Sequence, residues 1–235
     1  DLMLVLPRSV FMSRYIRIPA ETDEEVEAML SYQLSRVLPC ALDEVLYDYR
    51  VTSRRDGYAL VLVLLVQEKK IGPVLEFLQK ARTVPSGLTV SSSGCAGWLA
   101  RQDITRPGPA IVIDVDRDRA EFVAAENGQV LFSRMFSWDD EDRLLQGVRQ
   151  CEGLFAKEFS QAAEYLPTVI TGMAAGEPLA RRLSAGRDVR YRPVAGIGRD
   201  TCSFCAPAGL AAMPGVVPFE FSPQAVRASK RRQQL

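Results

Sequence analysis

The order of strand and helix patterns along these 235 residues predicts an α/β protein built in two parts. Three observations predict it. The first part runs strand, helix, strand, strand, helix, strand, a ferredoxin-like order. The second runs three strands in succession, then helix, strand, helix, strand, the order of an RNase H-like or actin-like half. Between them lies a link at 105–109 containing two prolines and a glycine, the best boundary in the chain.

Each element has a local reason. Residues 1–6 are a short apolar strand closed by Pro7, and residues 10–18 alternate around Phe11, Ser13, Tyr15 and Arg17, as a half-buried strand does. Thr22 and Glu25 have capping-box spacing, and Asp23, Glu24 and Glu25 suit the positive end of a helix dipole. Val26, Met29, Leu30, Leu34, Val37 and Leu38 then recur at helical spacing until Pro39 stops the helix. Burying that stripe leaves Glu24, Glu27, Ser31 and Arg36 on a polar face. Residues 46–51 and 58–67 read as strands joined by a turn at 54–57, the second apolar on both faces and therefore central. A helix over 71–82, a strand over 88–92 and a helix carrying Trp98 and Leu99 complete the first part.

In the second part, strands are predicted at 110–114, 120–125 and 129–136, with Asn127-Gly128 as a hairpin signal between the last two. A helix over 139–165 opens with Asp139, Asp140, Glu141 and Asp142, which the helix dipole explains better than acid/base chemistry does. A strand at 168–171, a helix at 177–184 and a strand at 189–192 follow. Beyond 216–221 and Pro223, the segment 225–235 is a basic helix or coil carrying Arg227, Lys230, Arg231 and Arg232.

Composition narrows the function. Lys plus Arg and Asp plus Glu both total 29, and the zero net charge argues against a nucleic-acid partner. No apolar run reaches the roughly 18–20 residues of a membrane span, and no signal-peptide pattern is present. The sequence opens at Asp1 inside the apolar run LMLVL, which reads as a segment of something longer. With no histidine anywhere, histidine-based catalysis and histidine-ligated metals are excluded. Five cysteines at scattered spacing point to reduced thiols in a cytoplasmic compartment. Cys202 and Cys205 have C-x-x-C spacing, but one such pair cannot close a four-ligand zinc site and no thioredoxin-type unit surrounds it. Neither a metal nor a redox role is expected of them. Gly196-Ile197-Gly198 reads as a plain loop.

Several stretches carry a resemblance: LVLPRS at 4–9, RIP at 17–19, the acidic-headed helix closing at VLP (37–39), LDEVLYDYRV at 42–51, and IVIDVDRDRAEFVAAENGQVLFSR at 111–134. Together these resemble the actin-like pilus and secretion assembly family, which includes the pilus assembly protein PilM and the cytoplasmic region of the type II secretion protein GspL. The resemblance implies an α/β, actin-like (RNase H-like) fold with a ferredoxin-like inserted subdomain, truncated at the N-terminus. Residues 1–107 would form the first part, 108–213 the RNase H-like half, and 214–235 a basic juxtamembrane tail. It further implies a non-catalytic scaffold at the cytoplasmic face of the bacterial inner membrane, linking an inner-membrane platform to a secretion or pilus ATPase as a homo- or hetero-oligomer. Arg227, Lys230, Arg231 and Arg232 would make the membrane contact.

The resemblance also implies a place for ATP, which in PilM-type members binds between the halves through two phosphate-binding hairpins and a Gly-rich adenosine turn. Here the matching acid is Asp114, and TGMAAG (171–176) stands for the adenosine turn through Thr171 and Gly172, with Met173 displacing a second glycine. In the hairpin, Val115, Arg117, Asp118 and Arg119 stand where small residues are needed for close approach to phosphate. The expected site is therefore degenerate, with no cofactor. ATP with Mg²⁺ belongs only to the alternative, an actin-like ATP-binding protein whose nucleotide state controls pilus assembly.

Overall fold

The computed structural model describes residues 2–38, 40–104, 107–184, 187–194, 205–212 and 219–221. It comprises two compact units: residues 1–6, 10–89 and 219–235 in the first, and residues 7–9 and 90–218 in the second. This division differs from the one read at the 105–109 link. The helix after the first part's last strand belongs to the second unit, and Phe219–Phe221 return to the first rather than opening a tail.

The first unit holds strands β1 (Met3–Leu6) and β2 (Met12–Ile18), helix α1 (Asp23–Val37), strands β3 (Val45–Arg55) and β4 (Tyr58–Gln67), helix α2 (Glu68–Lys80) and strand β5 (Gly87–Val90). Strand β4 is central because eight consecutive side chains, Ala59 to Val66, are buried, so it lies between β2 and β3 with antiparallel neighbours on both edges. Ala59, Val61, Val63 and Leu65 meet Val26, Leu30 and Leu34 of α1 in one core cluster. Each such side chain contributes about 1.5–3 kcal/mol on burial. Thr22 caps α1 as its spacing predicts: Glu25 N–H donates to Thr22 Oγ1, and Glu25 Oε2 accepts from Thr22 N–H. Val37, expected inside, is 47% exposed at the last turn.

The expected ferredoxin-like sheet is only partly formed. Its first three strands pair as β2-β4-β3, but β5, which would be the fourth, pairs with β1 in a separate two-stranded sheet. The reason is a competing partner that the ferredoxin-like order does not contain, the apolar stretch before Pro7. Phe221 N–H donates to Leu88 O at 2.8 Å, Glu220 Oε1 accepts from Leu88 N–H at 3.1 Å, and the Phe11 and Phe221 rings pack 4.7 Å apart.

The second unit begins with helix α3 (Ser91–Leu99). It continues through β6 (Ala110–Val115), β7 (Arg119–Glu126), β8 (Gln129–Ser137), α4 (Glu141–Phe159), β9 (Thr168–Thr171), α5 (Glu177–Ser184), β10 (Val189–Tyr191) and α6 (Cys205–Ala212). Its sheet has the order β10-β9-β6-β7-β8, with β6, β7 and β8 antiparallel and β9 and β10 added in parallel. That is the RNase H-like order expected from the sequence. Leu144, Val148, Cys151 and Phe155 form the buried stripe of α4, and Phe155 meets Phe132 edge-on at 6.0 Å. The helix stops six residues short of Tyr165 because Ser160 takes a left-handed φ of 52° at the C-cap. At its start Asp140 accepts from Arg143 N–H, and Arg182 of α5 pairs with Glu141 and Asp142, so three of the four acids are engaged at the helix head.

Candidate functional site

Strand β6 is apolar and buried from Ala110 to Ile113, then ends on partly buried Asp114 and buried Val115. Its parallel partner β9 sets Thr171 directly opposite Asp114, and its antiparallel partner β7 sets Glu121 opposite the same residue. Side chains in register on adjacent strands leave the sheet on one face. One rung therefore carries Thr171, Asp114 and Glu121 on the face opposite to Phe122 and Phe132.

The residues named from sequence come together. Gly172, next after Thr171, has φ +103°, and a Cβ there would lie 2.6 Å from both Asp114 Oδ1 and Val115 N. The turn that follows folds back on β6, with Ala174 N–H donating to Val115 O at 3.0 Å. Asp114, Thr171 and Gly172 thus meet at the carboxyl ends of parallel strands, where α/β sheets generally place ligands.

The hairpin beyond Asp114 is engaged internally. Asp116 N–H donates to Arg119 O at 2.8 Å, and Arg117 N–H donates to Asp116 Oδ1 at 2.9 Å. Asp116 O accepts from the Trp138 indole at 3.1 Å, and Asp118 O accepts from Trp138 N–H at 3.0 Å. Arg117, Asp118 and Arg119 point to solvent, and the Asp118–Arg119 ion pair at 3.3 Å is too exposed to add much stability. A phosphate cradle needs backbone N–H groups without other acceptors. Two of those in this turn already have them.

Sequence reasoning missed what covers the rung. Ser91 and Ser92, in the first turn of α3, donate to the two oxygens of Glu121 at 2.5 and 2.6 Å. Burial pushes the Glu121 carboxyl up from its ordinary value, while these hydroxyls and Arg8 pull it partly back. Cys95 of α3 and Cys205 of α6 stand over Asp114, and the three possible ligand atoms lie within 4.8 Å of one another. Thr171 Oγ1 is fully buried and has no hydrogen-bond partner among the described residues. The signal for this cover was faint: SSSGCAGW and CAPAGLAA are small-residue runs without a strong apolar stripe. Their smallness is what lets the helices touch, since a Cβ on Gly94 would come 2.7 Å from Ala206 Cα and one on Gly209 would come 2.5 Å from Trp98 N.

Cys202, Gly196, Gly198 and the basic residues Arg227, Lys230, Arg231 and Arg232 lie outside the described residues. No described helix is long and apolar enough to cross a membrane.

Among solved structures, the chain is similar to the PilM–PilN type IV pilus biogenesis complex, at 17% identity and a TM-score of 0.68 over 91% of this chain and 81% of that one. It is similar to the cytoplasmic domain of EpsL, an inner membrane component of the type II secretion system of Vibrio cholerae, at 16% identity and a TM-score of 0.52 over 90% and 75%. A Bacteroides thetaiotaomicron protein with an actin-like ATPase fold matches at 11% identity and a TM-score of 0.51 over 90% and 73%. No protein-family model and no curated protein matches the chain. At these identities the likeness is one of fold, and the fold is actin-like.

Proposed function

We propose that this chain is a non-catalytic cytoplasmic scaffold of a type II secretion or type IV pilus assembly machine. It would link an inner-membrane platform to the cytoplasmic ATPase that drives it. The observation that carries this reading is the self-satisfied hairpin: the N–H groups of Asp116 and Arg117 are bonded within the turn, and two acids and two arginines occupy it. A fold shared with PilM and with the cytoplasmic domain of EpsL, but with its phosphate hairpin closed on itself, supports work through surfaces rather than through nucleotide chemistry. The polar face of α1, with Glu24 and Arg36 exposed, is one surface available for a partner.

The second reading, an ATP-binding assembly protein, draws on the meeting of Asp114, Thr171 and Gly172 at the strand ends. Calorimetric titration with Mg·ATP separates the two. Heats indistinguishable from dilution at millimolar nucleotide are expected, and saturable micromolar binding would overturn the scaffold reading in favour of the second. Co-purification with a type II secretion or type IV pilus ATPase and inner-membrane platform proteins tests the linkage itself, and capture of neither would remove it.

A further inference from the structure

The rung beneath α3 and α6 has an unusual makeup for the end of an otherwise apolar strand. Thr171, Asp114 and Glu121 stand side by side on three strands. Ser91 and Ser92 account for Glu121. Cys95 and Cys205 converge on Asp114 from two helices, within 4.8 Å of it and of each other. Thr171 Oγ1, on the same rung, is fully buried and unpartnered among the described residues.

We infer that Cys95, Asp114 and Cys205 form a binding site for a borderline-soft divalent metal, zinc(II), that ties α3 and α6 to the end of β6. The ligand spacing admits it: the three ligand atoms lie within 4.8 Å of one another, and in a tetrahedral site with Zn–S bonds near 2.3 Å neighbouring sulfurs sit about 3.8 Å apart. Two thiolates exclude magnesium and calcium, which take oxygen ligands. A carboxylate in the set disfavours copper(I), which prefers sulfur alone. The fourth position falls to water or to the Thr171 hydroxyl, a polar group otherwise buried without a partner.

Cysteine binds a metal as the thiolate, so filling the site releases protons and affinity rises with pH. In sequence the only cysteine near Cys205 is Cys202, which suggests no metal role. Cys95 lies far upstream, in a helix with no ligand motif, and only the fold brings it near. The site stands independently of the scaffold reading.

The test uses the whole chain, purified under reducing conditions. Elemental analysis should find stoichiometric zinc. Titration with cobalt(II), which reports thiolate ligation through its sulfur-to-metal charge-transfer band, should saturate and release protons. Cys95→Ser, Cys205→Ser and Asp114→Asn should each lose the metal or weaken it at least tenfold, while Cys40→Ser, Cys151→Ser and Cys202→Ser retain it. Far-UV circular dichroism checks that each variant folds. Absence of a cobalt–thiolate band in the wild-type chain overturns the proposal whatever the variants do. So does metal that is lost with Cys202 but kept without Cys95.

Discussion

Gly172 sits where any side chain would collide with the strand beside it. Its φ of +103° is disfavoured for other residues, and a Cβ would press on Asp114 Oδ1 and on the Val115 backbone. Gly172→Ala should therefore destabilise the chain by about 1–3 kcal/mol, read from urea midpoints. A loss below a few tenths would mean the turn moves freely, and with it the strand-end geometry on which the candidate site depends. Glu121 offers a pH-dependent test. Its carboxyl is raised above 4.5 mainly by burial, so over the window just above 4.5 the native state holds a proton that the unfolded chain has released. Its contribution to stability is thus fully present below 4.5 and lost as pH rises through the folded value. Glu121→Gln cannot titrate and should gain on the wild type as pH climbs from there toward neutral. Parallel pH–stability curves would show instead that Glu121 is charged in the native state. Of the site, Asp114, Thr171 and Gly172 were named from the sequence through the family resemblance of the stretches at 111–134 and 171–176, and the fold brings the three together. Cys95 and Glu121 were not, because nothing local distinguishes a cysteine in a small-residue helix or an acid in an alternating strand from its neighbours.

Elements whose boundaries are set locally were the ones the sequence located well. Helix α1 starts at its capping box, and Thr22→Ala should cost about 1 kcal/mol of stability, measured by thermal or urea unfolding. An unchanged midpoint would show that packing of Val26, Leu30 and Leu34 alone sets that helix. The end of α4 was misjudged because the apolar pattern continues to Tyr165 while the backbone turns left-handed at Ser160. Helix α6 was not foreseen, since CAPAGLAA offers closeness of approach rather than an apolar stripe. That closeness is testable: Gly94 and Gly209 face backbone atoms of the opposite helix, so Gly209→Val should separate α6 from α3 and cost about 3 kcal/mol or more. A near-neutral effect would mean the two helices are not held in contact. Strand pairing was the least legible feature, because β5 reads equally well as a fourth ferredoxin-like strand or as a partner for β1, and only the competition between distant segments decides.

At the scale of the whole chain, a balance of 29 basic and 29 acidic residues conceals a basic segment at 225–235. Deleting it should weaken binding to acidic liposomes at low salt, at about 1 kcal/mol per charge near the surface, with no change toward neutral vesicles. Equal binding by the full and shortened chains would remove the membrane role from Arg227, Lys230, Arg231 and Arg232. The RNase H-like order of the second unit was legible because its strands and helices follow one another in sequence. The first unit was harder, because its last piece comes from elsewhere: Leu88 N–H is met by Glu220, 132 residues downstream. That distance bears on how the chain is made as well as on how it is held. Translation delivers β1 through β5 early, then the rest of the second unit, and only afterwards Phe219–Phe221. Until those residues leave the ribosome, the Leu88 backbone and the Phe11 ring lack the partners they have in the finished protein. The nascent first unit therefore carries an open strand edge through the synthesis of its neighbour, the interval in which a second nascent chain could pair with it.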